Sequence, residues 1–127
     1  MTSYIYADKF FLKSGVVGPG YLEVKDGKFG KILDEVADEA QVTNYQGKWI
    51  APGLVDTHIH GYANHDVMDN DAEGLKVMSE ALLSCGVTSF LPTTLTSSRE
   101  LLTKVARTIG ETYQDVKGAK IKGIYFE

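Results

Sequence analysis

The chain has one cysteine in its 127 residues, Cys85, so no internal disulfide can form. It also lacks any run of lysine or arginine, and no aromatic residues are interleaved with basic ones. With 13 Lys+Arg against 17 Asp+Glu and a formal net charge of -4, the composition argues against a nucleic-acid partner. No apolar stretch approaches the roughly 18 residues that suggest a membrane span, and the amino terminus lacks a signal-peptide core. The expectation is a cytoplasmic protein with no membrane partner. Internal repeats and low-complexity segments are absent too.

Histidine is equally scarce, at 3 residues, yet two of them form the most informative feature of the chain. His58-Ile59-His60 closes the short run Leu54-Val55-Asp56-Thr57, which follows a turn signal at Pro52-Gly53. In a strand, residues two apart point to the same face with Cα atoms roughly 6.5–7 Å apart. Two imidazoles so placed can reach one divalent ion at bond lengths of about 2.0–2.1 Å. Asp56 shares that face in a regular strand, where a role in orienting a neighbour and a plain structural hydrogen bond are both open. At the other end, Ile121-Lys122-Gly123-Ile124-Tyr125-Phe126 reads as a buried strand leading to Glu127. A carboxylate at the carboxyl end of a parallel strand lies where such sheets place their chemistry.

Between these points a β-branched and aromatic run, Val87-Thr88-Ser89-Phe90-Leu91, ends at Pro92 and is flanked by helical patterns. Leu75, Met78 and Leu82 recur at helical spacing, with Asp71 as a cap and Gly86 as a stop. Ser97 and Glu100 have the form of a capping box ahead of an apolar stripe of Leu102, Val105, Ala106 and Ile109. The order strand, helix, strand, helix, strand implies a parallel sheet with right-handed crossovers. Cys85, beside Leu82 and Leu83, is expected to be a buried structural thiol. His65 reads as a polar loop residue. Asp66, Asp69 and Asp71 lack the glycine and distal glutamate of a calcium loop and are assigned to loop or cap roles.

The first fifty residues differ in character. Tyr4 to Leu12 and Gly20 to Lys25 are partly alternating β-rich stretches, and Asp26-Gly27 is a hairpin signal before Lys28 to Leu33. This predicts an antiparallel meander over residues 1–50, with Gln46 to Gly53 as the passage to an α/β segment over 51–127.

Pro52-Gly53-Leu54-Val55-Asp56-Thr57-His58-Ile59-His60-Gly61 resembles the first barrel strand of the amidohydrolase superfamily. Gly123-Ile124-Tyr125-Phe126-Glu127 and Val87 to Thr94 are similar to the third and second strands of its N-acetylglucosamine-6-phosphate deacetylases. The resemblance implies a metal-dependent-hydrolase TIM barrel preceded by part of a small β-sandwich domain. A barrel of that kind takes about 250 residues. By this reading the chain is an amino-terminal portion carrying the first three β/α units, inactive alone.

The implied metal ligands are His58, His60 and Glu127, holding one or two divalent ions (zinc, iron, manganese or cobalt) in the intact enzyme. Its acid/base aspartate is expected beyond residue 127. The implied substrate is a small amino-sugar phosphate, N-acetylglucosamine 6-phosphate, cleaved to glucosamine 6-phosphate and acetate by a homodimeric enzyme. A dihydroorotase-like or D-amino-acid-deacetylase-like protein is the alternative enzyme. A non-catalytic fragment or binding module is the alternative outside enzymes.

Overall fold

A computed structural model describes residues 1–127, which form two compact units, Met1–Pro52 and Gly53–Glu127. The first unit is built on one sheet of five strands: β1 (Thr2–Leu12), β2 (Gly15–Val17), β3 (Gly20–Lys25), β4 (Lys28–Leu33) and β5 (Val42–Ile50). Asp26 and Gly27 both adopt left-handed backbone, at φ 52 and 72, as the tight β3–β4 hairpin requires. Ala7, Phe10 and Leu22 are the buried apolar residues, supported by Ile5, Ile32 and Ile50.

The expected antiparallel order holds for β1, β3 and β4, while β2 is an added strand paired with β1 and β5 departs from the meander by pairing with β1 in parallel, from Tyr4↔Val42 to Phe10↔Ile50. Residues 46–50 therefore belong to a strand and not to the passage out of the sheet. Polar residues hide β5 in the sequence. Asn44 Oδ1 accepts the Gln46 amide at 2.8 Å and Gly47 takes φ 78, so the strand absorbs a shift of register between Ala7 and Lys9 of its partner.

The second unit is mixed α/β. It contains β6 (Leu54–Ile59), a hairpin of β7 (Gly61–Tyr62) and β8 (His65–Asp66), α1 (Ala72–Leu82), β9 (Val87–Thr94), α2 (Arg99–Thr112), β10 (Lys120–Ile121) and β11 (Tyr125–Phe126). Central strand β9 pairs in parallel with β6 on one side and with β10 and then β11 on the other. Leu75, Met78 and Leu82 of α1 and Val105 and Ile109 of α2 pack with Phe90 and Ile121 into one buried cluster.

Asp71 caps α1 by accepting the Glu73 amide at 3.0 Å, and Gly86 ends the segment at φ 77, both as the sequence predicts. The cap of α2 is one residue later than expected. Ser98, not Ser97, has the extended backbone and accepts the Leu101 amide at 3.2 Å, which places Glu100 in the first turn without a reciprocal bond. The continuous buried strand expected over 121–126 is two short pieces. Ile121 is buried, while Tyr125 and Phe126 are 44% and 56% exposed because no strand lies beyond them in the sheet. No helix is long and apolar enough to cross a membrane.

Candidate metal centre

Three parallel strands bring the sequence-predicted ligands together at their carboxyl ends. His58 lies near the end of β6, His60 directly follows it, and Glu127 follows β11 two positions along the chain from Tyr125. His58 Nε2 lies 3.2 Å from His60 Nε2, and Glu127 Oε2 lies 3.3 Å and 2.9 Å from those two nitrogens. All three side chains are between one third and one half exposed, so the cluster is open to solvent on one side.

Local structure explains how β6 delivers its histidines. Between Asp56 and Ile59 the register against β9 shifts, three steps on β6 matching two on β9. The Asp56 carboxylate folds onto this bulge and accepts the His58 amide at 3.0 Å, so its role is to hold backbone and not to orient an imidazole. The His60 carbonyl accepts the Val67 amide at 2.7 Å, which anchors the next residues of the loop. His60 Nδ1 faces the Thr93 carbonyl oxygen at 3.2 Å. A carbonyl can only accept, so Nδ1 is the ring nitrogen placed to donate to it, and Nε2 is the one turned toward the cluster. His58 is held differently, by the Tyr125 ring at 5.0 Å between centroids and 36° between planes. Thr93 and Tyr125 were not singled out from the sequence. Tyr125 was within reach of it, since a residue two before Glu127 shares its face.

The donor set suits a divalent ion: two imidazole nitrogens and one carboxylate oxygen that converge on a single point. Two ligands each about 2.0–2.1 Å from one ion stand roughly 2.9 Å apart at a right angle and roughly 3.3 Å apart at a tetrahedral one. The separations of 2.9, 3.2 and 3.3 Å fall in that span, so the three atoms fit around one ion without rearrangement.

The remaining polar residues stand apart from this centre. His65 lies in the β7–β8 hairpin over the first turn of α1, where a Cβ on Gly74 would come within 2.7 Å of its Nδ1. Asp66 and Asp69 form a reciprocal cap on the turn at Val67–Asp69, and Asp71 caps α1, which absorbs the acidic cluster into helix starts. Cys85 is exposed, contrary to expectation, because the α-helix stops at Leu82 and a tighter turn carries 83–85 outward. Its Sγ lies 2.9 Å from the Tyr62 hydroxyl. That hydrogen bond holds the thiol below its ordinary pKa and the phenol above its own.

No family model matches the chain. Among curated proteins, N-acetylglucosamine-6-phosphate deacetylase of Lysinibacillus sphaericus is 34% identical over 106 residues, covering 82% of this chain and 27% of that protein. The Bacillus subtilis protein of the same name is 31% identical over 119 residues, covering 88% of this chain and 30% of its own length. The N-acetylgalactosamine-6-phosphate deacetylase of Escherichia coli O157:H7 is 29% identical over 128 residues, covering all of this chain and 33% of that protein. Among solved structures, the N-acetylglucosamine-6-phosphate deacetylase of Pasteurella multocida superposes with a TM-score of 0.89 over 99% of this chain and 34% of its own, at 23% identity. The Thermotoga maritima enzyme gives 0.71 over 99% and 31%, at 26% identity.

The chain thus spans between a quarter and a third of the length of these relatives. Proteins named N-acetylglucosamine-6-phosphate deacetylase recur in the sequence and the backbone comparisons, and the match includes both the β-rich first unit and the α/β second unit. On that agreement the chain belongs to the N-acetylglucosamine-6-phosphate deacetylase family.

Proposed function

We propose that the complete gene product is a metal-dependent amide hydrolase that removes the acetyl group from N-acetylglucosamine 6-phosphate, and that this chain supplies one wall of its active site. The convergence of His58, His60 and Glu127 carries the reading. In this reading residues 1–50 are part of a small β-sandwich domain, and 51–127 are the first three β/α units of a (β/α)8 barrel. The parallel order β6, β9, then β10 with β11, joined by helices, supports the second assignment. The single five-stranded sheet of the first unit, with only three buried apolar residues, supports the first, because a sandwich takes its core from two sheets.

An acetamide is a poor electrophile and neutral water a poor nucleophile. His58, His60 and Glu127 would hold a divalent ion, which would supply polarisation of the carbonyl and acidification of water. The protein's part is to turn Nε2 of both histidines and the Glu127 carboxylate toward one point. The open side of the cluster leaves room for a small substrate to approach. Acid/base assistance and the grip on the sugar phosphate fall to residues outside 1–127.

The test is hydrolysis by the complete gene product, read as acetate release from N-acetylglucosamine 6-phosphate and N-acetylgalactosamine 6-phosphate and as ring opening of dihydroorotate to N-carbamoyl aspartate, with kcat/KM compared. The expected result is a clear preference for the glucosamine compound. Preference for the galactosamine epimer would move the assignment to the E. coli O157:H7 relative. Turnover of dihydroorotate alone would overturn the deacetylase reading.

A further inference from the structure

The two histidine rings of the cluster are held in unlike ways. That of His60 is steadied from behind, where Nδ1 faces the Thr93 carbonyl oxygen at 3.2 Å. The polar contacts of the His58 ring lie at Nε2 alone, 3.2 Å from His60 Nε2 and 3.3 Å from Glu127 Oε2, so no polar group grips its far edge. The torsion that turns an imidazole is broad and sets no plane by itself. The side chain is also half-exposed, so close packing does not set one either. Two rings touch it: His60 stands nearly perpendicular, at 78°, whereas Tyr125 is more nearly parallel, at 36°, each 5.0 Å away between centroids. Tyr125 reaches this position across a strand, since it stands on β11, His58 stands on β6, and β9 runs between them. Neighbouring strands are about 4.8 Å apart, so the gap is roughly 9–10 Å. An aromatic ring spans a good part of that gap, which a short aliphatic side chain does not. Alternation puts Tyr125 and Glu127 on one face, and Glu127 makes the same crossing to the histidines.

We propose that Tyr125 is the positioning residue for His58: its ring, laid across β9, fixes the plane of the imidazole and thereby the aim of Nε2 at the point shared with His60 and Glu127. The inference rests on the reading of His58 as a metal ligand. Aromatic pairs with centroids about 4.5–7 Å apart attract beyond their buried area, and here that attraction restricts a ring that nothing else holds in plane. With the Tyr125 ring removed, His58 samples other orientations, and an arriving ion has to order it. The contact is made by the ring and not by the phenol hydroxyl, so phenylalanine serves as well as tyrosine.

The experiment compares wild type, Tyr125→Phe and Tyr125→Leu in the complete gene product, each also made in a His58→Ala background. Leucine keeps apolar bulk and loses the ring; phenylalanine loses only the hydroxyl. Two readouts are taken: zinc affinity by competition with a chelator, and the ring-proton shifts of His58 in the metal-free protein. Tyr125→Leu is expected to lower zinc affinity about three- to tenfold and to move the His58 shifts toward those of a freely turning imidazole, with Tyr125→Phe close to wild type in both. In the His58→Ala background, Tyr125→Leu is expected to cost no further affinity, because the residue through which it acts is gone. A loss that persists undiminished in that background assigns the effect to Glu127 or to the fold and overturns the proposal. So does Tyr125→Leu matching wild type in both readouts, or Tyr125→Phe behaving like Tyr125→Leu. The shift readout needs no metal. If it comes out as expected while zinc binds wild type no better than a His58→Ala/His60→Ala variant, the metal-centre reading fails and the hold of Tyr125 on the His58 ring stands.

Discussion

A pair of histidines two residues apart is a common accident; what gives this pair weight is the third atom that the fold adds. Glu127 is 67 positions from His60 in sequence, taking 127 less 60, yet its Oε2 lies 2.9 Å from His60 Nε2. Two imidazole nitrogens and a carboxylate oxygen turned to one point are a donor set that a divalent ion takes. Replacing both histidines by alanine in the complete gene product should therefore lower bound metal by one ion per chain, measured by metal analysis after gel filtration. An unchanged ratio removes His58 and His60 from the ligand set. Cys85 shows a different use of a polar pair. The Tyr62 hydroxyl stabilises its thiolate, so the pH at which alkylation of Cys85 reaches half its maximal rate should lie below that of an ordinary thiol. Tyr62→Phe removes the donor and should move that midpoint upward. A midpoint that stays put shows the hydrogen bond to be without effect on the thiol in solution.

At the level of elements, signals that act within a few residues were legible and those that depend on a distant partner were not. Asp71 and Gly86 bracket α1 by bonds to their immediate neighbours, so the sequence alone places that helix. Ser97 and Ser98 offer the same chemistry one position apart, and only the path of the chain from β9 selects Ser98. Strand β5 gains its status from β1, roughly forty residues earlier in the chain, and its own polar composition conceals it. The β6 bulge has the same character. His58 and His60 were identified by alternation, but the register shift and the Asp56 side chain that hold them in place arise from pairing with β9.

Another long-range device joins α1 to the segment before β10. Ser79, buried in α1, donates from Oγ to the Ala119 carbonyl at 2.9 Å and accepts the Gly118 amide at 3.0 Å, while its own carbonyl accepts the Ala119 amide at 2.8 Å. Gly118 is obligatory at this crossing, because a Cβ there would fall 2.2 Å from the Ser79 carbonyl oxygen. Ser79→Ala leaves a buried N–H and a buried carbonyl each short of a partner and should destabilise the protein by about 1–3 kcal/mol. Urea unfolding of the complete gene product checks it, and a loss below a few tenths of a kcal/mol would show that water replaces the hydroxyl.

On the scale of the whole molecule, the question is what these 127 residues can do by themselves. The second unit ends its sheet on β6 at one side and on β10 and β11 at the other, and neither edge has a further strand. Both edges carry exposed apolar side chains, with Leu54 at 61%, Val55 at 62% and Phe126 at 56%. Unpaired parallel edges of this kind recruit other strands, and a closed barrel is the arrangement that removes them. The first unit buries only Ala7, Phe10 and Leu22 within its sheet, too little apolar area to stabilise some fifty residues against their conformational entropy. The 127-residue piece made alone should therefore associate at micromolar concentration, with a light-scattering mass above 13.9 kDa. It should also release no acetate from N-acetylglucosamine 6-phosphate above background, since three ligands without acid/base assistance or a phosphate grip leave most of the barrier in place. A stable monomer that turns the substrate over would overturn the three-unit assignment, because a complete site would then have to exist within residues 1–127.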